Sequence, residues 1–543
     1  MINALIVEKK RSKGYKYFIH NYTIMTEDSN YHLFNEEENN RATIVGYNLK
    51  YNLDEFLTGC YFYFRYKGFK NIIIYNLTNI LSLVFTLILS CFLFFLDWKE
   101  IQRCDLNDFS CTQYIINVNY HKLSAFSKLI FIFYTVIFIL YILWCFFSIF
   151  TIIPKMKKIR TFYKKINISD NDLLYISWSN VLGKIEDFQN NAKFIHRRRI
   201  YNKHNKLMII QRIMRRDNIF IALIDHNIFG TYNMGNIKVN LFTSKLMEWS
   251  LRLAFLNEVN SSVNKNVIYN YNVIINRFKL IGILNLIISP FSIIYNIIHF
   301  FLDNAVHIHT EPKEFMSCTW TNFAFWSFKD YNELNHITNQ RLYLSLQHSI
   351  NFSSQFNQIE NDTITRFLIF IFGSLVSFIV ILGFLNEAIL SITIFNRNMW
   401  WYIAILTGII AILKNNLQNL VFSQNPEDYL NNMKNNLGVK TKDWDNKNFY
   451  QIYLDMSKYL KYKFTTLIIE ILSVFTTPYF LLFYLPQRTK RLCLFLQNNL
   501  IKDRDMGYII NSSTFHDEQN DSMKLKQSVI NFQKYYHNQI VDV

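Results

Sequence analysis

The stretch Asn71–Leu96 reads NIIIYNLTNILSLVFTLILSCFLFFL. It carries no charged side chain and exceeds the ~20 apolar residues that a helix needs to cross the hydrocarbon of a bilayer. Backbone amides in lipid must be satisfied within the segment, so the run is a membrane-spanning α-helix rather than a lone strand. Working outward, Leu129–Pro154 repeats the pattern, again without a charge. Phe367–Asn386 is a third span. Met399–Leu413 is shorter but opens with Trp400, Trp401 and Tyr402, side chains that favour the headgroup belt, and is read as a fourth. The chain is therefore an all-α integral membrane protein.

Two further segments are apolar but unusual. Leu280–Leu302 contains Asn285, Ser289, Pro290, Asn296 and His299; Phe464–Leu485 contains Glu470 and Pro478. A proline inside a helix frees a carbonyl that protein or water must satisfy. Hydropathy leaves two fates open: a kinked crossing, or a bent helix that enters and returns through one face.

Charge sets the orientation. Arg65, Lys67 and Lys70 precede the first span, and Lys155, Lys157, Lys158, Arg160, Lys164 and Lys165 follow the second. Basic residues stay cytoplasmic, so residues 1–70 are cytoplasmic and the loop 97–128 is luminal. Residues 1–70 are polar, which makes the first span an uncleaved signal anchor. Cys104 and Cys111 then share an oxidising compartment, where both a local disulfide and two free thiols are compatible with the sequence. Residues 155–279 show apolar side chains at helical spacing (Ile209, Ile210, Ile213, Phe220, Leu223, Ile224) and read as a cytoplasmic helical domain. Residues 303–366 and 414–463 read as further cytoplasmic helices, the former with Trp320, Trp326 and Phe328 as core. Residues 486–543 read as a cytoplasmic helix followed, from 505, by a loosely ordered tail.

Composition excludes several function classes. The net charge of +17 sits beside membrane segments, which points to lipid headgroups and a biased genome rather than to nucleic acid. The seven cysteines include no C-x-x-C pair, and His307 and His309 stand two apart in a short loop, so no zinc site is expected. No P-loop, H-E-x-x-H or G-x-S-x-G occurs, so no nucleotide, metal or other cofactor is expected and an enzyme reading has no residues to rest on. Three polar features stand out. Arg197, Arg198 and Arg199 cover most of a helix circumference; they are either a solvated basic face or a site for lipid phosphates. Glu470 lies at membrane depth and must face water or a partner such as Lys463. The polar groups around Pro290 either cap a bent helix or line a hydrated groove.

Ordered short motifs then resemble the autophagy-related protein 9 family over about Leu53–Leu500. The most specific is Tyr331-Asn332-Glu333-Leu334-Asn335-His336 with Arg341-Leu342, preceded by Trp320 and Trp326. Tyr61, Tyr63, Gly68 and Phe69, then Trp178 and Val181, then Asn218 with Ile221-Ala222-Leu223, then Leu246, Glu248, Trp249 and Leu251 follow the family order. Asn285-Leu286-Ile287 with Ser289-Pro290-Phe291, Pro426-Glu427, and Ser473 with Thr477-Pro478 complete it. The family's His-Tyr and proline near residue 444, its second serine-proline at Ser473-Val474, and its long extensions are missing.

The resemblance implies a domain-swapped homotrimer with four spanning helices (71–154 and 367–413) and two re-entrant helices (280–302 and 464–485). It implies ATP-independent scrambling of phospholipids on Golgi- and endosome-derived vesicles and on the phagophore. Autophagy-related protein 2, a lipid-transfer protein, and other autophagy factors would be partners. It assigns Arg197, Arg198 and Arg199 to the inner pore and Thr363 to a lateral opening; Asn285, Ser289, Asn296, Glu470 and Thr477 are the lipid-path candidates of the two proline segments. The competing readings are an ion channel or transporter, and a scaffold; Tyr31-His32-Leu33-Phe34 has the form of a sorting signal.

Overall fold

The computed structural model describes residues 49–96, 125–191, 205–234, 237–240, 244–256, 270–310, 317–385, 390, 393–394, 397–416, 425–438, 444–503, 507–515 and 523–536. The described part is mostly helical. In chain order its principal helices are α1 (Leu49–Arg65), α2 (Phe69–Phe95), α3 (Ala125–Lys165), α4 (Trp178–Asn191), α5 (Lys206–Asp225), α6 (Lys245–Leu251) and α7 (Tyr271–Thr310). They continue with α8 (Asn322–Phe328), α9 (Asn335–Leu385), α10 (Met399–Asn416), α11 (Pro426–Leu437), α12 (Phe449–Met456), α13 (Lys463–Tyr479), α14 (Leu485–Asn499) and α15 (Met523–Tyr536). Short two-stranded antiparallel ribbons join some of them; one pairs Cys318–Trp320 with Leu460–Tyr462 and brings the starts of α8 and α13 together. An all-α expectation misses these ribbons because three- or four-residue strands leave no periodic signature.

Among the described residues, five helices are long and apolar enough to cross a bilayer: Phe69–Phe95, Ala125–Lys165, Tyr271–Asn304, Thr363–Leu385 and Lys463–Asn499. The apolar part of α10, Met399–Ala411, is shorter. This chain reads as a multi-pass membrane protein, since Leu77, Leu81, Phe85, Ile88 and Phe92 of α2 all point outward and exposed. So do Phe367, Phe370, Phe378 and Ile381 of α9. Apolar surface of that extent requires lipid or another apolar partner.

Helices run through the boundaries that hydropathy suggests. α3 is one helix of 41 residues that carries its span past Pro154 into the basic cluster. α7 is continuous for 40 residues through Pro290. α9 is continuous for 51 residues, joining the signature region to the third span with no break at 366. α13 passes Pro478, takes a π-helical turn at Phe480–Tyr484 and continues as α14. The π turn fits Pro486, just inside α14, whose missing amide leaves the Leu482 carbonyl in that turn without its α-helical partner; the wider turn accommodates the loss without ending the helix. His307 and His309 fall in the last turns of α7 rather than in a loop. The tail is also more ordered than expected, because residues 523–536 form a helix with a buried face.

Among the described residues, two large hydrophobic cores lie outside the lipid-facing helices, and α5 threads both. The first gathers Ile219–Ile224, Trp326, Phe328, Tyr331, Met433, Ile452, Leu492 and Leu496. The second gathers Tyr61, Tyr63, Tyr163, Trp178, Val181, Ile209, Ile210 and Met214. α5 is buried along most of its length, as an axial element should be. In the membrane layer, α2 and α3 form a hairpin; Tyr134 and Phe138 of α3 each lie 5.5 Å (ring centroids) from Phe291 of α7. The other side of α7 packs on α13, so the two proline-bearing helices are neighbours. Gly282 makes that possible: a Cβ there would stand 2.9 Å from Leu482 Cγ.

Candidate functional site

The polar groups of α7 and α13 lead to α6, a short helix capped by Ser244, whose hydroxyl accepts from the Met247 amide at 3.3 Å. Asn285 turns inward from α7 and donates from Nδ2 to Ser250 Oγ of α6 at 2.9 Å. Glu470, on α13, accepts at Oε1 from the Lys245 amide at 3.2 Å, at the opposite end of α6. A carboxylate at a helix N-terminus meets unpaired amides and the positive end of the helix dipole. Glu470 thus has a main-chain partner that sequence spacing could not show.

α6 also reaches into the first core through Glu248. Its Oε2 accepts from Trp326 Nε1 and from Asn322 Nδ2, each at 2.9 Å, and its Oε1 accepts from Arg252 Nε at 3.0 Å. Arg252 continues to Asp217 at 3.1 Å, and Lys329 meets the other Asp217 oxygen at 2.7 Å. Lys329 is fully buried and also bonds Asn335 Oδ1. The cations of Arg252 and Lys329 lie 5.1 and 4.8 Å from the Trp326 ring. Burial would raise the Asp217 carboxyl, but Lys329 and Arg252 outweigh it and hold it below its usual range. Burial pushes the Lys329 ammonium down, with Asp217 opposing. Two carboxylates and two cations make the cluster neutral, the condition under which charges persist inside a protein.

The signature residues form a second frame. Asn332 takes φ +57°, the left-handed conformation that asparagine tolerates. Its amide donates to Asn218 Oδ1 at 2.9 Å, Asn218 Nδ2 donates back to its Oδ1 at 2.7 Å, and its own Nδ2 donates to the Ser513 carbonyl at 2.8 Å. Glu333 receives a bidentate pair from Arg341 Nε and Nη2, both 2.7 Å. Arg341 Nη1 also donates to the Asn436 and Leu437 carbonyls at 3.2 Å, closing the C-terminus of α11. Asp330, pushed up to about 6 by burial against the pull of Arg341, accepts from Asn531 at 2.8 Å. His336 lies between Tyr61 (2.7 Å to Nδ1) and Tyr535 (3.4 Å to Nε2). Burial and the charges of Arg65 and Lys67 lower it to about 3, so the ring is neutral at physiological pH. Trp178 packs edge-on against Tyr61 at 5.1 Å.

Of the lipid-path candidates, the structure joins Asn285 and Glu470 through α6. Ser289, whose hydroxyl donates to the Leu286 carbonyl at 2.7 Å, and Asn296 are half-buried along α7. Thr477 and Pro478 are buried, while Pro290 is exposed. Thr363 stands exposed on α9, at the start of its apolar stretch. Trp249 is half-buried on α6 beside Glu248. Arg197, Arg198, Arg199, Cys104, Cys111 and Tyr31-His32-Leu33-Phe34 lie outside the described residues. Among the described residues no His, Cys, Asp or Glu grouping could hold a metal ion. Sequence reading missed Asp217, Ser250, Arg252 and Lys329. The spacing Glu248/Arg252 was an available signal, and so was a lysine directly following Phe325-Trp326-Ser327-Phe328.

Known proteins resemble this chain in sequence and fold. Residues 47–516 match the family model described as "Autophagy protein ATG9". "Autophagy-related protein 9" of Dictyostelium discoideum is 29% identical over 518 residues, covering 89% of this chain and 72% of the relative. That of Arabidopsis thaliana is 26% identical over 502 residues, covering 87% of this chain; the chain spans 58% of that relative's length. The cryo-EM structure of Schizosaccharomyces pombe Atg9 superposes with a TM-score of 0.59 at 23% identity, covering 86% of this chain and 99% of that one, and so shares the fold.

Proposed function

The chain belongs to the autophagy-related protein 9 family, and from that premise we propose that this autophagy membrane protein is a passive phospholipid scramblase. It moves lipids between leaflets while an autophagosome membrane expands. The observation that carries this reading is the seam between α7 and α13. Two membrane helices with internal prolines pack on each other and bear Asn285, Ser289, Asn296, Glu470 and Thr477 in otherwise apolar sequence.

A lipid flips slowly because its headgroup must cross hydrocarbon, where even an amide costs several kcal/mol. Polar side chains at intermediate depth lower that barrier while acyl tails remain in lipid, and no nucleotide is consumed. In this reading Arg197, Arg198 and Arg199 hold phosphates at the cytoplasmic mouth through bidentate bonds. The exposed hairpin of α9 and α10 offers its apolar face to a neighbouring copy, consistent with a domain-swapped homotrimer. Vesicles of Golgi and endosome origin and the phagophore are the proposed location, and autophagy-related protein 2 the proposed lipid donor.

Purified protein in liposomes with fluorescent lipid tests the reading. Outer-leaflet quencher should reach more than half of the fluorophore, and access equal to that in empty liposomes would refute it. Replacing Arg197, Arg198 and Arg199 together by glutamine should slow scrambling at unchanged particle size; an unchanged rate would remove them from the path.

A further inference from the structure

We propose that the turn Ser169–Ile176 is a foothold on the bilayer surface, which sets Leu174 and Tyr175 in the headgroup layer of the membrane that α2 and α3 cross. Such a foothold requires only that those two helices cross a bilayer, and it stands whether or not the chain scrambles lipid.

Leu174 and Tyr175 are 54% and 89% exposed, and among the described residues no large hydrophobic side chain is more exposed than Tyr175. The turn is built to hold them there. Asp172 Oδ2 accepts from the Ser169 amide and from the Ser169 hydroxyl, each at 2.8 Å. The Tyr175 and Ile176 amides donate to the Asp172 carbonyl at 3.1 and 3.0 Å. Leu173, next to the exposed pair on one side, is fully buried. On the other side Trp178 packs on Tyr61 and Phe64, with ring centroids 5.1 and 5.2 Å away. A fixed turn, anchored at both ends in the second core, therefore presents an apolar and an aromatic side chain outward.

The path of the chain sets the depth of this turn. α3 continues past Pro154 to Lys165, which carries its end about 16 Å beyond the charge-free run. The helix then closes on Asn167, left-handed at φ +55°, with the Ile168 amide donating to the Tyr163 carbonyl at 3.0 Å, and the chain turns back. Asp170 meets Arg160 of α3 at 3.1 Å and accepts from the Tyr63 hydroxyl. It also closes on Gly68, where a Cβ would stand 3.3 Å from Asp170 Cβ. Gly68 lies three residues, about 5 Å of helix, before Asn71, where the charge-free run of α2 begins. Leu173 is buried in the same core as Ile72, one residue inside that run. A headgroup layer is about 5–7 Å thick on each side of the hydrocarbon. The turn thus stands at the level of the headgroups, whereas the end of α3 stands above them. Tyrosine favours that layer because its ring is apolar and its hydroxyl can stay wet. The exposed apolar faces of α2 and α3 begin beside it, at Ile74 and Phe150, so the foothold continues a surface already facing lipid.

The test uses the full chain in phosphatidylcholine liposomes. Tyr175 is replaced by the photoreactive p-benzoylphenylalanine, and Lys165 is replaced in the same way in a parallel protein. Illumination should give phospholipid adducts, read by mass spectrometry, at least five-fold more abundant at 175 than at 165. No lipid adduct at 175, equal yields at the two positions, or adducts from 175 to a second copy of the chain in place of lipid would overturn the proposal. Oxidation of the wild-type chain by hydroxyl radicals decides without any substitution. A tyrosine left in water at 89% exposure reacts nearly as fast as in the urea-unfolded chain. Tyr175 in liposomes should react at least five-fold more slowly than in the unfolded chain, and an equal rate would overturn the proposal.

Discussion

Asp217→Asn removes one charge from a place that water does not reach. Asp217 is the shared anion of Arg252 (3.1 Å) and Lys329 (2.7 Å), and Lys329 has no exposed surface. Asparagine keeps the volume and one acceptor, so packing is preserved and the loss is electrostatic. Lys329 has one escape, which is to give up its proton. Taking a lysine from an ordinary pKa of about 10.4 to neutrality at pH 7 costs about 4.6 kcal/mol at 1.36 kcal/mol per unit, which bounds the penalty from that cation. Removing one partner of a buried ion pair costs roughly 3–5 kcal/mol in general. The expected destabilisation is therefore about 3–4 kcal/mol. It is measured as the loss in urea unfolding free energy of the detergent-purified protein, followed by the fluorescence of Trp326 inside the cluster. Lys329→Met removes the orphaned cation, so the double variant should recover at least half of the loss. A loss below about 1 kcal/mol, or a double variant no better than Asp217→Asn alone, would refute the idea that the cluster is held by charge balance.

Asn332→Ala should cost about 2–4 kcal/mol in the same assay, from a left-handed alanine and the unpaired Asn218 and Ser513 groups; Asn332→Gly keeps the backbone and should cost less. Gly282→Ala forces a Cβ to 2.9 Å from Leu482 Cγ and should cost about 1–3 kcal/mol by prising α7 from α13, read as a lower melting temperature. Stability between pH 6.5 and 5 should carry two opposed contributions. His336, lowered from 6.5 to about 3 in the folded protein, leaves the unfolded chain to bind the proton first and costs about 2 kcal/mol over that window. Asp330, raised from 3.8 to about 6, binds its proton first in the folded protein and returns about 1.2 kcal/mol over the same window. His336→Gln should therefore turn a slight acid loss into an acid gain, visible in urea midpoints at pH 7 and 5.

The spans were legible because a bilayer imposes a composition on about 20 residues at a stretch, and Asn71–Leu96 satisfies it with no help from the rest of the chain. Helix ends were not legible. Hydropathy stops at the edge of the lipid, whereas α9 continues for 51 residues across it, with nothing between Arg341 and Phe367 to break a helix. The signature motif was visible as a motif, yet its roles were not. Asn332 meets Asn218, 114 residues away, and Lys329 meets Asp217 across 112 residues. Pairings at that separation depend on how α5 threads both cores, and no local pattern records it. The ordered tail was missed because Lys524 and Ser528 stand among Leu525, Phe532 and Tyr536 on its inward face, and they read as solvated until Asp225 and the Tyr331 amide are placed opposite them.

Glu470 shows what this coupling means for a polar path. Read alone, a carboxylate within an apolar segment is a stepping stone for a headgroup. In place, it is also the bond that holds α13 to α6, while Asn285 holds α7 to the same helix one and a half turns further along. Each bond is worth on the order of 1–3 kcal/mol, small enough to break and remake. Glu248, between them on α6, is fixed by Trp326, Asn322 and Arg252 and cannot follow such a movement cheaply. The rigid part is therefore the buried charge cluster, and the part free to yield is the pair of contacts from the membrane helices to α6. A headgroup that competes for Glu470 would loosen α13 from α6 while leaving the core intact. Under the proposed scrambling, the same residue would both line the path and gate it.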